Sequence, residues 1–179
     1  SSHSVIVNLD REKYDVIMVD AYQDITIPFQ MSSVEFFTMV KEHLNENGVM
    51  VVNMNMRGNN EGNINQYLSD TIASVFDHIV TVDVDGSTNR ELYASSNADM
   101  VKTLENNANE TGHSDLRDMM LHVADTSSVY EAGDYIMTDD KAPVELLGMQ
   151  VIDQLIQGEV AYYKDIFEKD GINGLLESL

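Results

Sequence analysis

Apolar positions recur along this chain with two different periods, and the switches between them predict its elements. Val16, Ile17, Met18 and Val19 form an unbroken apolar run, the pattern of a strand covered on both faces, as in a parallel sheet. Asp20 closes that strand. After Pro28 the spacing becomes helical, with Phe36, Phe37, Val40 and Leu44 three or four residues apart. Ser32 followed three residues later by Glu35 predicts a capping box at the start of this helix. Asn47-Gly48 predicts its end, because glycine takes the left-handed position after a helix cheaply. Residues 49–54 read as the next buried strand.

Strand, helix and strand in that order make a βαβ unit with a right-handed crossover. Residues 63–76 form a second amphipathic helix, striped by Tyr67, Leu68, Ile72, Val75 and Phe76. Strands are expected at 79–84 and 91–95, joined by a turn at 87–90, and so tight a connection makes them antiparallel. Residues 99–123 read as helix broken by the polar stretch 106–113. Residues 129–137 read as a loop or short extended piece. A helix is predicted over 144–156, with Leu147, Val151, Ile152 and Leu155 on one side, and short helices over 160–167 and 172–179 hinged at Gly171. The fold class is therefore α/β: a parallel pair with flanking helices and an antiparallel terminal strand pair.

Composition narrows the function classes. The chain has 179 residues, enough for one domain with a real core. Its 31 acids against 10 bases give a net charge of −21, a field that repels phosphate backbones and disfavours nucleic acid. The same field attracts a polycation. No apolar run is long enough to span a membrane, and no signal-peptide pattern opens the chain. A cytoplasmic location is expected. Cysteine is absent, so disulfides and thiolate metal sites are excluded.

The candidate chemistry is carboxylate chemistry. In open α/β sheets ligands bind at the carboxyl edge of the strands, and Asp20 stands there. Asp24 follows in the same loop, so the two acids could hold a cation or accept a proton. Asn53 lies at the same edge of the next strand. A second acidic motif, Thr138-Asp139-Asp140-Lys141-Ala142-Pro143-Val144-Glu145, has two readings. Pro143 suits the first turn of a helix, and the acids beside it suit the positive end of the helix dipole. Alternatively, Asp139 and Asp140 face a ligand. The five histidines show no zinc spacing, no GxSxG elbow accompanies the serines, and VDVDG lacks the rest of a calcium loop. No metal site is expected. Tyr162-Tyr163 read as packing or dimer contacts, in keeping with a homo-oligomer.

The runs YDVIMVDAYQD..IP, NGVMVVN and TDDKAPVE together resemble the spermidine synthase family (polyamine aminopropyltransferases), above all bacterial spermidine synthase-like proteins with a methyltransferase-type Rossmann fold. The resemblance covers residues 14–156. It implies transfer of an aminopropyl group from decarboxylated S-adenosylmethionine, as co-substrate, to a small cationic amine. It implies Asp20 as general base on that amine, Asp24 as a second acid holding it, and Pro28 beside the adenine. It also implies that Asp139 and Asp140 close one wall of the cleft near the amine.

The family's loop reads D-S-S-D-P, whereas here one more residue separates Asp20 from Asp24. No G-x-G-x-x-G precedes Asp20, so residues 1–179 are expected to be the C-terminal portion of such a domain, inactive alone, with the cofactor-binding half absent. Two other readings stand beside this one: a non-catalytic assembly module, and a methyltransferase-like protein using S-adenosylmethionine.

Overall fold

The computed structural model describes residues 12–20, 28–54, 62–141 and 160–169. Strand β1 (Tyr14–Val19) is followed by a 3-10 turn (Phe29–Met31), helix α1 (Val34–Glu42), strand β2 (Leu44–Met54) and helix α2 (Ile64–Ala73). Then come β3 (His78–Asp83), β4 (Arg90–Ser95), α3 (Met100–Glu110), α4 (Ser114–Thr126) and the two-residue β5 (Ser128–Val129). A last helix, α5, covers residues 160–169.

The sheet order is β1-β2-β4-β3-β5. β1 and β2 are parallel, and β4 runs antiparallel to both β2 and β3. The expected antiparallel pair is present, but it is not simply appended. β4 inserts between β2 and β3, which leaves β3 parallel to β2. A reversed strand placed inside a parallel sheet is the methyltransferase-type variant of the Rossmann arrangement.

One face of the sheet carries the core. Val19, Met50, Val52, Leu92, Ala94 and Ile79 point there and pack on Phe36, Phe37 and Val40 of α1 and on Leu68 and Ile72 of α2. Phe37, Leu68 and Ile72 are completely buried, each worth about 1.5–3 kcal/mol of transfer free energy. The opposite face is thinner. Val16, Val49 and Val51 line an apolar groove of about 350 Å³ against Met100 and Leu104 of α3 and Val123 of α4.

That second face corrects the first expectation. β1 is not covered on both sides: Val16 is 56% exposed and Met18 72%. Its apolar run satisfies the core only through Ile17 and Val19, as period-2 geometry requires.

Three local expectations also change. The N-cap of α1 is Ser33 rather than Ser32, and its Oγ accepts from Phe36 N at 3.3 Å. Glu35 then stands two residues after the cap rather than three, and its carboxylate accepts the amide of Asp139 at 3.0 Å. The helix ends at Glu42, so Asn47-Gly48 lies inside β2, where the register with β1 jumps between Tyr14↔Leu44 and Val16↔Val49. Gly48 is there for proximity: a Cβ would stand 2.9 Å from the Tyr14 carbonyl oxygen and 3.1 Å from Asn45 N.

The helical region after β4 is less broken than its composition predicts. Residues 106–110 continue α3, with Ala108 buried and the polar side chains around it exposed, and only 111–113 interrupt. The predicted helices over 144–156 and 172–179 lie outside the described residues.

Candidate active site

The carboxyl edge of the parallel pair is built from three strands. Asp20 follows directly on β1 and is exposed. Asn53 stands next to it on β2 and donates from Nδ2 to Asp20 Oδ1 at 3.3 Å. Directly across the next ladder, Glu91 of β4 is the register partner of Asn53 and therefore shares its face. Asp20, Asn53 and Glu91 thus make a polar row across the sheet, on the face that carries the apolar groove. The groove itself runs toward the other end of the strands; neither Asp20 nor Glu91 lines it.

Electrostatics in this row follow from burial and like charge. The Glu91 carboxyl is raised above the ordinary glutamate value, first by partial burial and second by the charge of Asp20. The Tyr93 hydroxyl, one row further in, is raised by burial and then by Glu91. Both shifts favour the uncharged forms.

The β3–β4 turn completes the edge. Gly86 has a φ of 70°, Val84 N donates to Asn89 O at 3.0 Å, and Asn89 N donates to Ser87 Oγ at 3.1 Å. Arg90 Nε donates to Asp83 Oδ1 at 2.7 Å across the two strands. This holds Asn89 where its Nδ2 donates to Asn53 Oδ1 at 3.3 Å.

A second acid organises the flank of α2. Asp70 on α2 is 1% exposed. Its Oδ1 accepts from the Tyr130 hydroxyl at 2.6 Å and from Gly133 N at 2.9 Å, and its Oδ2 accepts from Tyr135 N at 3.1 Å. Burial, the bond to Asp70 and the charge of Asp70, in that order, push the Tyr130 hydroxyl well above the ordinary tyrosine range. Met137 N then donates to Thr71 Oγ1 at 2.9 Å, and Met137 O accepts from Val34 N at 2.9 Å. Residues 130–139 are thereby strapped across α2 and delivered to the start of α1.

The predicted site residues fall out as follows. Asp20 is at the strand edge, as expected. Pro28 is exposed, and its carbonyl accepts Met31 N at the opening of the 3-10 turn. Asp139 receives a hydrogen bond from Ser33 Oγ at the α1 N-terminus, just after the loop that carries Pro28. Asp140 is exposed in the turn closed by Thr138 and Lys141. Asp24 lies outside the described residues, as do Pro143 and Glu145. Of these acids Asp139 meets a helix start, that of α1, over a hundred residues upstream of Pro143.

Sequence reasoning missed Glu91, Asn89 and Asp70. Glu91 and Asn89 carried one usable signal: once 91–95 is a strand paired beside β2, its first acid must lie at the edge that Asn53 marks. Asp70 carried none, because its partners are sixty or more residues away.

No family model matches the chain. Over 185 aligned residues it is 52% identical to a protein of Bifidobacterium longum named probable polyamine aminopropyl transferase. By sequence, this chain is a relative of a polyamine aminopropyltransferase. The match takes in 94% of this chain and 42% of the aminopropyltransferase relative, so the chain spans less than half of that protein's length. Among solved structures, human methyltransferase-like protein 13 in complex with SAH is 16% identical, with a TM-score of 0.48 over 73% of this chain and 60% of the other. A probable spermidine synthase from Corynebacterium glutamicum is also 16% identical, with a TM-score of 0.41 over 77% and 55%. The resemblance of residues 14–156 to aminopropyltransferases is borne out by the sequence relative. Among the described residues, no helix is long and apolar enough to cross a membrane, and no group of three or more potential ligands could hold a metal ion.

Proposed function

We propose that this chain is the amine-side part of an aminopropyltransferase, with Asp20 as the general base. The observation that carries the reading is the placing of the Asp20 carboxylate, held by Asn53 at the carboxyl edge of two parallel strands, in a chain 52% identical to a protein of that name. The amine nitrogen attacks the methylene beside the sulfonium of decarboxylated S-adenosylmethionine. The new C–N bond forms as the C–S bond breaks, its electron pair neutralises the sulfur, and the amine's surplus proton passes to Asp20. Positioned acid–base assistance of this kind contributes about 10²–10⁴ in rate, and alignment of the two reactants contributes more.

The substrate is a small cationic amine, since two acids, Asp20 and Glu91, on either side of Asn53 and a chain of net charge −21 both favour it. Asp24, Asp139 and Asp140 are assigned to the far end of the amine, and Pro28 to the adenine side.

The test is calorimetry and turnover on the full-length protein that carries this chain. A decarboxylated S-adenosylmethionine analogue should release heat on binding, and Asp20→Asn should lower kcat/KM by at least about 10². Full activity in Asp20→Asn overturns the assignment.

A second reading has one observation behind it. Val16 and Met18 lie exposed on β1, an edge strand among the described residues, and exposed apolar edges pair with other chains. An assembly surface is the function this would serve. Silence in calorimetry, together with self-association abolished by Met18→Lys, would favour it.

A further inference from the structure

Asp20 does not stand alone at its edge, and the direction of the hydrogen bonds behind it is forced. An ionised carboxylate only accepts, so Asn53 must turn its NH₂ toward Asp20. The Asn53 amide oxygen then faces away from Asp20 and must itself accept. The group it meets is the NH₂ of Asn89 at 3.3 Å, held by the hydrogen-bonded β3–β4 turn. Three side chains from three different segments thus form one directional chain that ends on Asp20 Oδ1. Asn89 and Asn53 are both half-buried and the bond between them is partly shielded, while the bond to Asp20 lies at the open edge.

We infer that Asn89, acting through Asn53, is a positioning residue for the Asp20 carboxylate, so that the β3–β4 turn sets the orientation of the base. This rests on the reading of Asp20 as general base for its catalytic meaning, but the relay itself is a property of the chain. Neither asparagine touches the reacting atoms. Their role is to keep one oxygen of Asp20 occupied in a fixed geometry. Glu91 stands on the other side of Asn53 and contributes charge but no donor, so it cannot replace Asn89.

The test is the hydrogen exchange of the Asn53 side-chain amide, followed by NMR in the full-length protein, beside separate kcat and KM values for aminopropyl transfer. Asn89→Ala removes the terminal donor without adding charge. It should speed exchange of the Asn53 amide about threefold and lower kcat by about the same factor with KM unchanged, because only the orientation of the base is loosened. Asn89→Ser, which keeps a turn-forming residue but cannot reach Asn53, should do the same and guards against a misfolded turn. Asn89→Asp should lower kcat further, because its carboxylate turns the Asn53 amide around and aims an oxygen at Asp20.

Asn53 amide exchange and kcat unchanged in both Asn89→Ala and Asn89→Ser overturn the relay. Faster Asn53 amide exchange in a protein that transfers no aminopropyl group supports the relay and counts against the enzymatic reading alone.

Discussion

Two aspartates of this fold, one following a strand and one on a helix, divide its labour. Asp70 is buried and saturated: three donors from one strap converge on its two oxygens, and Gly133 is a glycine because a Cβ there would stand 2.6 Å from Asp70 Oδ2. Asp20 is exposed at a strand edge and held by Asn53. The difference teaches how to read an acid in a fold. A buried carboxylate that already takes three donors is closed to a ligand, whereas one held by a single side-chain amide at an open edge keeps capacity to accept more.

The comparison breaks or sharpens under mutation. Asp70→Ala should cost about 3 kcal/mol in urea unfolding, because it leaves two backbone amides and the Tyr130 hydroxyl partly buried without an acceptor. Asp20→Ala should stay within about 0.5 kcal/mol of the parent. Equal losses for the two would erase the contrast.

Next in size is Gly133→Ala. Its methyl must displace the Asp70 carboxyl, and a destabilisation of about 1–3 kcal/mol is expected from the midpoint of the same curves. An unchanged midpoint would mean that the strap need not lie so close. Ser33→Ala is smaller, at about 1 kcal/mol, since one helix cap and the Asp139 contact are lost together. Thermal unfolding of Ser33→Ala and Asp139→Ala, singly and combined, would reveal the shared contact as non-additivity.

The smallest effect belongs to Glu91. Its proton affinity is raised in the folded chain, so between the ordinary glutamate value near 4.5 and the raised one the folded state holds more protons than the unfolded state. Stability therefore falls as pH rises through that window and stays lower above it. Glu91→Gln should flatten this slope and stabilise at neutral pH by under about 1 kcal/mol, the group being largely solvent-screened. A variant with the parent's pH slope would contradict it.

How much of this was legible follows from reach along the chain. The βαβ unit and the β3–β4 hairpin could be read because apolar period and turn chemistry are local. Asp20 could be placed because a strand ending on an acid is a local statement as well. The exposure of Val16 and Met18 could not, since a continuous apolar run looks the same whether or not something covers its second face. Gly48 was misread for a related reason: glycine serves a helix end and a close backbone approach equally well, and only the Tyr14 carbonyl beside it decides. Asp70 reads as one polar residue in an amphipathic helix. Its helix buries five consecutive positions, from Leu68 to Ile72, only because a strap from 130–139 covers the flank that a stripe would leave wet.

That strap has a mechanical consequence for the chain's integrity. The α3–α4 excursion, with its exposed bend at 111–113, leaves the sheet and returns at β5, while residues beyond it are moored to α1 and α2 by Asp70, Thr71 and Val34. A protease cut at Gly112 severs the polypeptide without severing those moorings. The two pieces remain one particle, which makes that bend the natural place to split this protein into halves that find each other again.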